Sequence, residues 1–164
     1  MRLAYADPPY LGCAHLYPEH PDSHVWDTTQ AHADLLATLD RDYDGWAYSL
    51  SSTTLATLLP LAPACRVAAW VKPFAAFKRN VRIAYTWEPV LFKPGRDKSA
   101  DGAPVGRDHL AAPITMRRGL TGAKPDRFNR WILDLLGYVE GDAVDDLFPG
   151  TNGMARTLAQ GVML

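Results

Sequence analysis

Residues 2–10 read Arg2-Leu3-Ala4-Tyr5-Ala6-Asp7-Pro8-Pro9-Tyr10. The run over residues 2–6 is short and apolar, as expected of a strand that ends where the prolines begin. Two consecutive prolines fix φ near about −65° twice and remove two backbone donors, while their carbonyls stay free to accept hydrogen bonds. A carboxylate stands on one side of the pair and an aromatic ring on the other. Asp7, Pro8, Pro9 and Tyr10 therefore form a rigid clamp for a flat group that carries an amino function. The carboxylate and a proline carbonyl take its N–H donors, and Tyr10 stacks on its ring. The exocyclic amine of a nucleobase has this shape, and flipped bases are read by edge hydrogen bonds plus stacking. Taken alone, the same four residues also make a plain strand-to-turn junction, with Asp capping the turn and Tyr packing on a proline.

Outward from this stretch, strands and helices alternate. Residues 11–27 are rich in Pro, His, Asp and Gly and read as a long loop. Asp27 or Thr28 can cap a helix to about Asp40, on which Ala31, Leu35, Leu36 and Leu39 share a face. A second strand is expected over residues 46–50, entered through Gly45. Ser51 and Ser52 suit the cap of a helix to about Leu59, ended by Pro60 and Pro63. Residues 66–71 read as a third strand. Residues 81–93 form the longest strand-like stretch, with a break expected near Glu88-Pro89. Residues 94–123 collect Gly, Pro, Asp, Ser and Arg and read as an irregular insert. Pro125 suits the first turn of a helix to about Leu136, with Phe128, Ile132, Leu135 and Leu136 in a stripe and Gly137 just past its end. Residues 143–148 make a last strand. Gly150 and Gly153 occupy the turn after it, and residues 154–159 can form a short helix.

This order implies an α/β layered fold around a mostly parallel sheet. Ligands bind such sheets beyond the C-terminal ends of the strands. Two turns are expected there. One is residues 7–10. The other is Asp146-Leu147-Phe148-Pro149-Gly150-Thr151-Asn152-Gly153, in which glycines allow close approach of a ligand to the backbone.

Composition narrows the classes. The chain has 164 residues, 48% of them hydrophobic, and a net charge of −1. That is the size of one domain, here spanning residues 1–164, with a sizeable core. There is no broad basic field, although Lys72, Lys78, Arg79, Arg82, Lys93, Arg96, Lys98, Arg107, Arg117, Arg118 and Lys124 cluster in the middle of the chain. Cys13 and Cys65 form no disulfide or metal pattern. No signal peptide is read at the start and no apolar stretch has bilayer length, so the chain reads as cytosolic and without a membrane partner. Cys13, His15, His20, Asp22 and His24 crowd one loop and raise the idea of a metal-dependent hydrolase. Their spacing fits no tetrahedral zinc pattern, and a solvated loop explains them better.

The tetrapeptide Asp7-Pro8-Pro9-Tyr10 resembles the signature of amino-methyltransferases, which move a methyl group from S-adenosylmethionine to adenine N6 or cytosine N4. The resemblance extends along most of the chain, apart from residues 94–123. Asp146, Phe148 and Gly150 match the family's Asp-x-Phe-x-Gly segment, which cradles the methionine part of the cofactor. Thr151-Asn152-Gly153 follows, with Asn152 where a glycine is frequent. Lys124-Pro125, an amphipathic helix, and Gly141-Asp142 before a strand resemble a further family arrangement, in which Lys124 lies near the cofactor carboxylate. Trp70-Val71-Lys72-Pro73 and Trp87-Glu88-Pro89 resemble family strands, and Glu88 reads as structural more readily than as chemical. With the catalytic segment first and the cofactor segment last, the chain is similar to the permuted branch found in bacterial and phage DNA methyltransferases and, more distantly, in mRNA adenosine methyltransferases.

The resemblance implies a Rossmann-like methyltransferase fold, three-layered, with about five strands. Family members continue past the glycine turn with further strands, one of which ends in an acid that binds the cofactor ribose. No acid follows Asp146 here. A sheet truncated relative to the seven-stranded form is therefore expected, with ribose and adenine held by other groups, by a second subunit or homodimer partner, or weakly. The implied cofactor is S-adenosyl-L-methionine and the implied partner is DNA with a flipped base, adenine N6 ahead of cytosine N4 or an RNA target. A catalytically weak homologue that binds DNA or a partner subunit is the alternative. Catalysis falls to Asp7, Pro8, Pro9 and Tyr10. Cofactor binding falls to Asp7, Lys124, Asp146, Phe148, Gly150, Thr151, Asn152 and Gly153. The basic, irregular residues 94–123 are the candidate for target recognition. All of this requires the two ends of the chain to meet across one crevice.

Overall fold

The computed structural model describes residues 1–17, 22–74, 80–96, 105–115 and 124–161. Its strands are β1 (Arg2–Ala6), β2 (Gly45–Ser49), β3 (Arg66–Val71), β4 (Trp87–Lys93), β5 (His109–Ala111) and β6 (Ala143–Asp146). They form one sheet in the order β5-β3-β4-β2-β1-β6. Helices α1 (Thr29–Asp42), α2 (Leu55–Leu58), α3 (Asp126–Leu136) and α4 (Gly153–Ala159) complete the fold. Among the described residues no helix is long and apolar enough to cross a membrane.

The sheet is buried on both faces, and the alternation of side chains along β1 shows how. Leu3 and Tyr5 join Trp70, Val90, Phe92, Phe128, Ile132 and Leu136 under α3. Ala4 and Ala6 join Trp46, Tyr48, Leu36, Leu39 and Leu58 under α1 and α2. Three layers result. Each fully buried aliphatic or phenyl side chain, such as Leu3, Phe128 or Ile132, contributes roughly 1.5–3 kcal/mol.

β1, β2, β3, β5 and β6 all run the same way, and only β4 is antiparallel to its neighbours. The mostly parallel expectation therefore holds for five strands of six. The reversal of β4 has a consequence for the site. Its start, at Trp87 and Glu88, lies at the sheet edge where β1, β3 and β6 end.

Several boundaries differ from the sequence reading. The strand expected over residues 81–93 begins only at Trp87, and it runs through Pro89 instead of breaking there. The Pro89 carbonyl accepts from Leu50 N–H at 3.3 Å, so its ring nitrogen faces the β2 side. β2 ends at Ser49, opposite Val90, so a donor missing at Pro89 leaves the ladder intact. β2 begins one residue early because Gly45 is itself paired, to Leu3. A Cβ at Gly45 would stand 2.3 Å from Gly95 N, which is why the segment leaving β4 can cross there. The helix expected from Ser51 is reduced to α2, because Ser51 closes a turn through Thr54 N–H at 3.1 Å. The last strand stops at Asp146 rather than Phe148.

The insert is not wholly irregular. β5 lies within it and pairs in parallel with β3 as an edge strand. Indole N–H groups hold its flanks: Trp70 donates to Ala112 O at 2.9 Å, and Trp131 donates to Arg107 O at 2.8 Å. Residues 97–104 and 116–123 of the insert lie outside the described residues. Elsewhere the local rules operate as expected. Thr28 caps α1 by accepting from Ala31 N–H at 3.3 Å. Pro125 is the N-cap of α3 rather than its first residue, and Gly137 ends that helix at φ +68°.

Candidate active site

β1 is the centre of the site because it pairs in parallel with both β2 and β6. Tyr5 is opposite Asp146, so the segments that follow β1 and β6 leave the sheet side by side. A cavity of about 610 Å³ opens between them. Asp7 and Pro9 line it from the first turn, Lys124 and Asn129 from the approach to α3 and from α3 itself, and Asp146, Phe148, Gly150, Thr151 and Gly153 from the second turn. The two ends of the chain thus share one crevice. Pro8, Tyr10 and Asn152 are not among the residues that line it.

At one end of the cavity the side chains are densely bonded. The Lys124 ammonium donates to both oxygens of Asp7, at 3.0 and 2.8 Å, and to Tyr10 Oη at 3.3 Å. Tyr10 Oη donates to Glu88 Oε2 at 2.9 Å and lies 3.3 Å from Asp7 Oδ1. Glu88 Oε1 accepts from the Lys72 ammonium at 2.5 Å. Lys124 Nζ stands 3.7 Å from Glu88 Oε2. It also lies 5.6–5.8 Å from the ring centroids of Tyr10, Trp70 and Phe128, a separation at which aromatic faces attract a cation. Two anions and two cations alternate in this network, so the cluster is neutral as a whole.

Burial and charge act against each other here. Burial pushes the Asp7 carboxyl above the ordinary aspartate range; Lys124 pulls it back and Glu88 adds to the rise. Burial disfavours the Lys124 cation, but Asp7, Tyr10 and Glu88 outweigh it and hold the ammonium well above its ordinary pKa. Burial likewise opposes the Glu88 anion, and Lys124 and Lys72 overcome it to keep that carboxyl below its usual value. Burial drives the Tyr10 phenol up, so it remains a proton donor. The network is a set of fixed charges aimed at one end of a cavity.

The other end is aromatic and conformationally specified. Trp26 meets Phe148 edge to face, with centroids 5.1 Å apart. Trp26 is held from behind by His32, whose Nε2 donates to Trp26 O at 2.8 Å. That assignment leaves His32 Nδ1 to accept from the Tyr48 hydroxyl. Burial lowers the His32 pKa and keeps the ring neutral. Gly150 has φ +44°, which favours glycine, and a Cβ there would meet only Phe148 O at 3.8 Å. The space beside Gly150 is therefore open to a ligand. Gly153 is glycine for a different reason, since a Cβ would stand 2.9 Å from Asn129 Nδ2 on α3. Asn152, at φ +56°, precedes α4 in the left-handed conformation that Asn tolerates. Burial raises the Asp146 carboxyl, and Phe148 N–H donates to it at 3.4 Å.

Tyr17, Asp22, Ser23, Trp26, Asn129 and Met154 also line the cavity; the sequence reading names only Asp22 among them, and for a metal rather than for this cavity. Trp26 carries a usable signal, an aromatic next to the cap of α1. Glu88 and Lys72 are the larger surprise. The sequence reading makes Glu88 structural, and the fold places it in the charged network. Of the loop residues considered for metal, His20 is outside the described residues, and among the described residues no group of three or more His, Cys, Asp or Glu could hold a metal ion.

No protein-family profile matches the chain, and no curated protein matches it in sequence. Solved structures do match in fold. The crystal structure of the M1.HpyAVI–SAM complex aligns with a TM-score of 0.60 at 13% identity, covering 97% of this chain and 77% of that one. TTHA0409, a candidate DNA modification methylase from Thermus thermophilus, aligns at 0.56 and 16% identity, covering 98% and 76%. Its complex with S-adenosyl-L-methionine aligns at 0.53 and 15% identity, covering 96% and 76%. The six-stranded sheet with flanking helices is the α/β fold of these solved structures.

Proposed function

We propose that the protein is an S-adenosylmethionine-dependent DNA methyltransferase that acts on the exocyclic amine of a base, adenine N6 by preference. One observation carries this reading. The carboxylate that precedes the proline pair and the glycine turn, far apart in sequence, face the same cavity. Its volume lies within the roughly 300–1,000 Å³ of small-molecule and cofactor sites.

The residues present suit the cofactor. Gly150 leaves a cradle that a Cβ would begin to fill, and Trp26 and Phe148 offer an aromatic wall for a flat base. Lys124 lines the same cavity, with its ammonium held by Asp7 and Tyr10. Asp22 and Ser23, from the loop before α1, supply acceptors on the cavity wall. The cofactor, when bound, supplies an electrophilic methyl group on a sulfonium.

The chain's own groups handle the amine. An aromatic amine is a weak nucleophile because its lone pair is delocalised into the ring. Asp7 and the Pro8 carbonyl accept its N–H protons and draw the nitrogen toward tetrahedral geometry, which localises the lone pair on it. The rigid turn fixes that direction, and orientation of this kind is worth several kcal/mol, up to about 7–11 in well-aligned intramolecular systems. Tyr10 flanks the base. Asp7 sits beside a cation, so it remains available as an acceptor as the amine loses its proton. The DNA phosphates fall to the scattered Lys and Arg residues, since a net charge of −1 provides no general field.

The test is incubation of the purified protein with labelled cofactor and unmethylated mixed-sequence DNA or RNA, followed by digestion and mass spectrometry of nucleosides. N6-methyladenine in DNA is expected. N4-methylcytosine or a methylated ribonucleoside would keep the chemistry and change the target. Cofactor binding without any methylated base would favour the alternative role of a binding subunit.

A further inference from the structure

The charged end of the cavity has more groups than the amine clamp needs. Asp7 and Lys124 face the cavity, whereas Glu88 and Lys72 are not among its lining residues. Lys72 is 8% exposed, and its pairing with Glu88 joins the end of β3 to the start of β4. The antiparallel course of β4 brings Glu88, at its start, to this edge.

In the geometry described, Lys124 donates to both oxygens of Asp7. Those are the atoms that an incoming amine needs, and an ammonium has no acceptor to offer it. Each of those oxygens keeps a second lone pair, but a substrate amine competes with Lys124 for their best directions and is held more closely when the ammonium loosens its bond to one of them. An unpaired ammonium in a buried site is costly. Glu88 Oε2 is the nearest alternative, at 3.7 Å. A movement of about 1 Å brings the ammonium within the about 2.7–2.9 Å of a charge-assisted hydrogen bond to it. The same Glu88 oxygen already accepts from Tyr10, and Lys72 holds the other one.

We propose that Glu88, oriented by Lys72, is a positioning residue of the amine clamp: it fixes the tilt of Tyr10 and receives the Lys124 ammonium when Asp7 turns to the substrate. The proposal rests on the reading that Asp7 accepts the amine protons. It absorbs two sequence features that the clamp itself leaves aside, Lys72-Pro73 after β3 and Glu88-Pro89 at the start of β4. No bond is made or broken in the exchange. The charges facing Glu88 are Lys72 and Lys124, with Tyr10 as donor; those facing Asp7 are Lys124 and, more distantly, Glu88.

Glu88→Gln tests this, because it keeps an acceptor for Tyr10 and removes the charge. Steady-state kinetics on unmethylated mixed-sequence duplex DNA and calorimetry with S-adenosylmethionine are compared with wild type. The DNA KM is expected to rise about tenfold, the worth of one charge-assisted hydrogen bond, with the cofactor Kd within about twofold. The acid limb of kcat/KM is expected at lower pH, because the negative charge that raises Asp7 is gone. Lys72→Met is the second variant, should the first not fold. It leaves Glu88 without its orienting charge and is expected to give the same split to a smaller extent, with Lys72→Arg restoring wild-type behaviour. An unchanged DNA KM, or equal losses for DNA and cofactor, overturns the role of Glu88. A wild-type protein that binds no cofactor and methylates nothing overturns instead the reading on which the role rests.

Discussion

Asp7 and Asp142 stand at opposite edges of the same sheet and are treated in opposite ways. Asp142 precedes β6. Its carboxylate takes both arms of the Arg96 guanidinium, at 2.5 and 2.9 Å, the Met1 amine at 2.8 Å and Val139 N–H at 3.0 Å. Arg96 and these other donors hold its pKa far below the ordinary aspartate range. Asp7 follows β1. Its bonds are to a single cation and a phenol, it has an anion nearby, and burial raises its pKa. One carboxylate is saturated with donors and fastens three segments together. The other is left with an exchangeable partner, at the mouth of a cavity. The lesson is that the number of fixed donors around a carboxylate, more than its burial, separates a structural aspartate from one able to exchange partners.

The comparison is most directly broken at Asp7. Asp7→Asn preserves shape and removes the charge. Methyl transfer is expected to fall by on the order of 10²–10⁴, as for loss of a catalytic acid–base group, with the melting temperature changed far less than the rate. The labelled-methyl assay and a thermal scan read both, and retained turnover would remove Asp7 from the chemistry.

Gly150→Val probes the opposite end of the cavity. A β-branched residue at φ +44° is strained and points toward open cavity space. Cofactor Kd by calorimetry is expected to weaken by about 10–100-fold, for a cost of roughly 1.4–2.8 kcal/mol. An unchanged Kd would make the turn merely structural.

Asp142→Asn should do the reverse of Asp7→Asn. Arg96 loses its partner, and stability is expected to fall by about 2–3 kcal/mol in denaturant titrations, with the rate on folded protein unaffected. An activity loss exceeding the stability loss would collapse the distinction between the two aspartates.

The smallest effect is in acid. Because the Asp142 pKa is depressed in the folded state, its stabilisation is fully present above the ordinary aspartate value of about 3.9 and is lost as pH falls through the folded value. Asp7, with a raised pKa, has the opposite sign: its contribution is present in acid and falls as pH rises through the folded value. Acid unfolding of wild type is therefore expected to steepen below about pH 4, and Asp142→Asn to flatten that limb. Melting curves at several pH values provide the check, and identical acid limbs would contradict it.

Much of the fold was legible where local chemistry decides it. β1 and β3 follow from short apolar, β-permissive runs. α3 follows from the stripe of Phe128, Ile132 and Leu136, with Pro125 before it and Gly137 after it. The two turns that frame the cavity follow from Pro8-Pro9 and from Gly150. Other features were hidden because they depend on partners far away in sequence. Residues 81–86 have the composition of a strand but no ladder to join. β5 is only three residues long and exists because β3 offers an edge. Pro89 sits inside a strand because β2 has already ended beside it.

By itself, the sequence determined the alternation of strands and helices, the rigid clamp at residues 7–10 and the glycine turn at residues 147–153, because proline, glycine and hydrophobic period act within a few residues. Only the tertiary structure decided that Lys124 binds Asp7 across 117 positions and that Glu88 stands behind Tyr10 across 78. Those contacts depend on strand order and on the reversed direction of β4. Both are settled by which faces pack together, a long-range choice that no local pattern encodes.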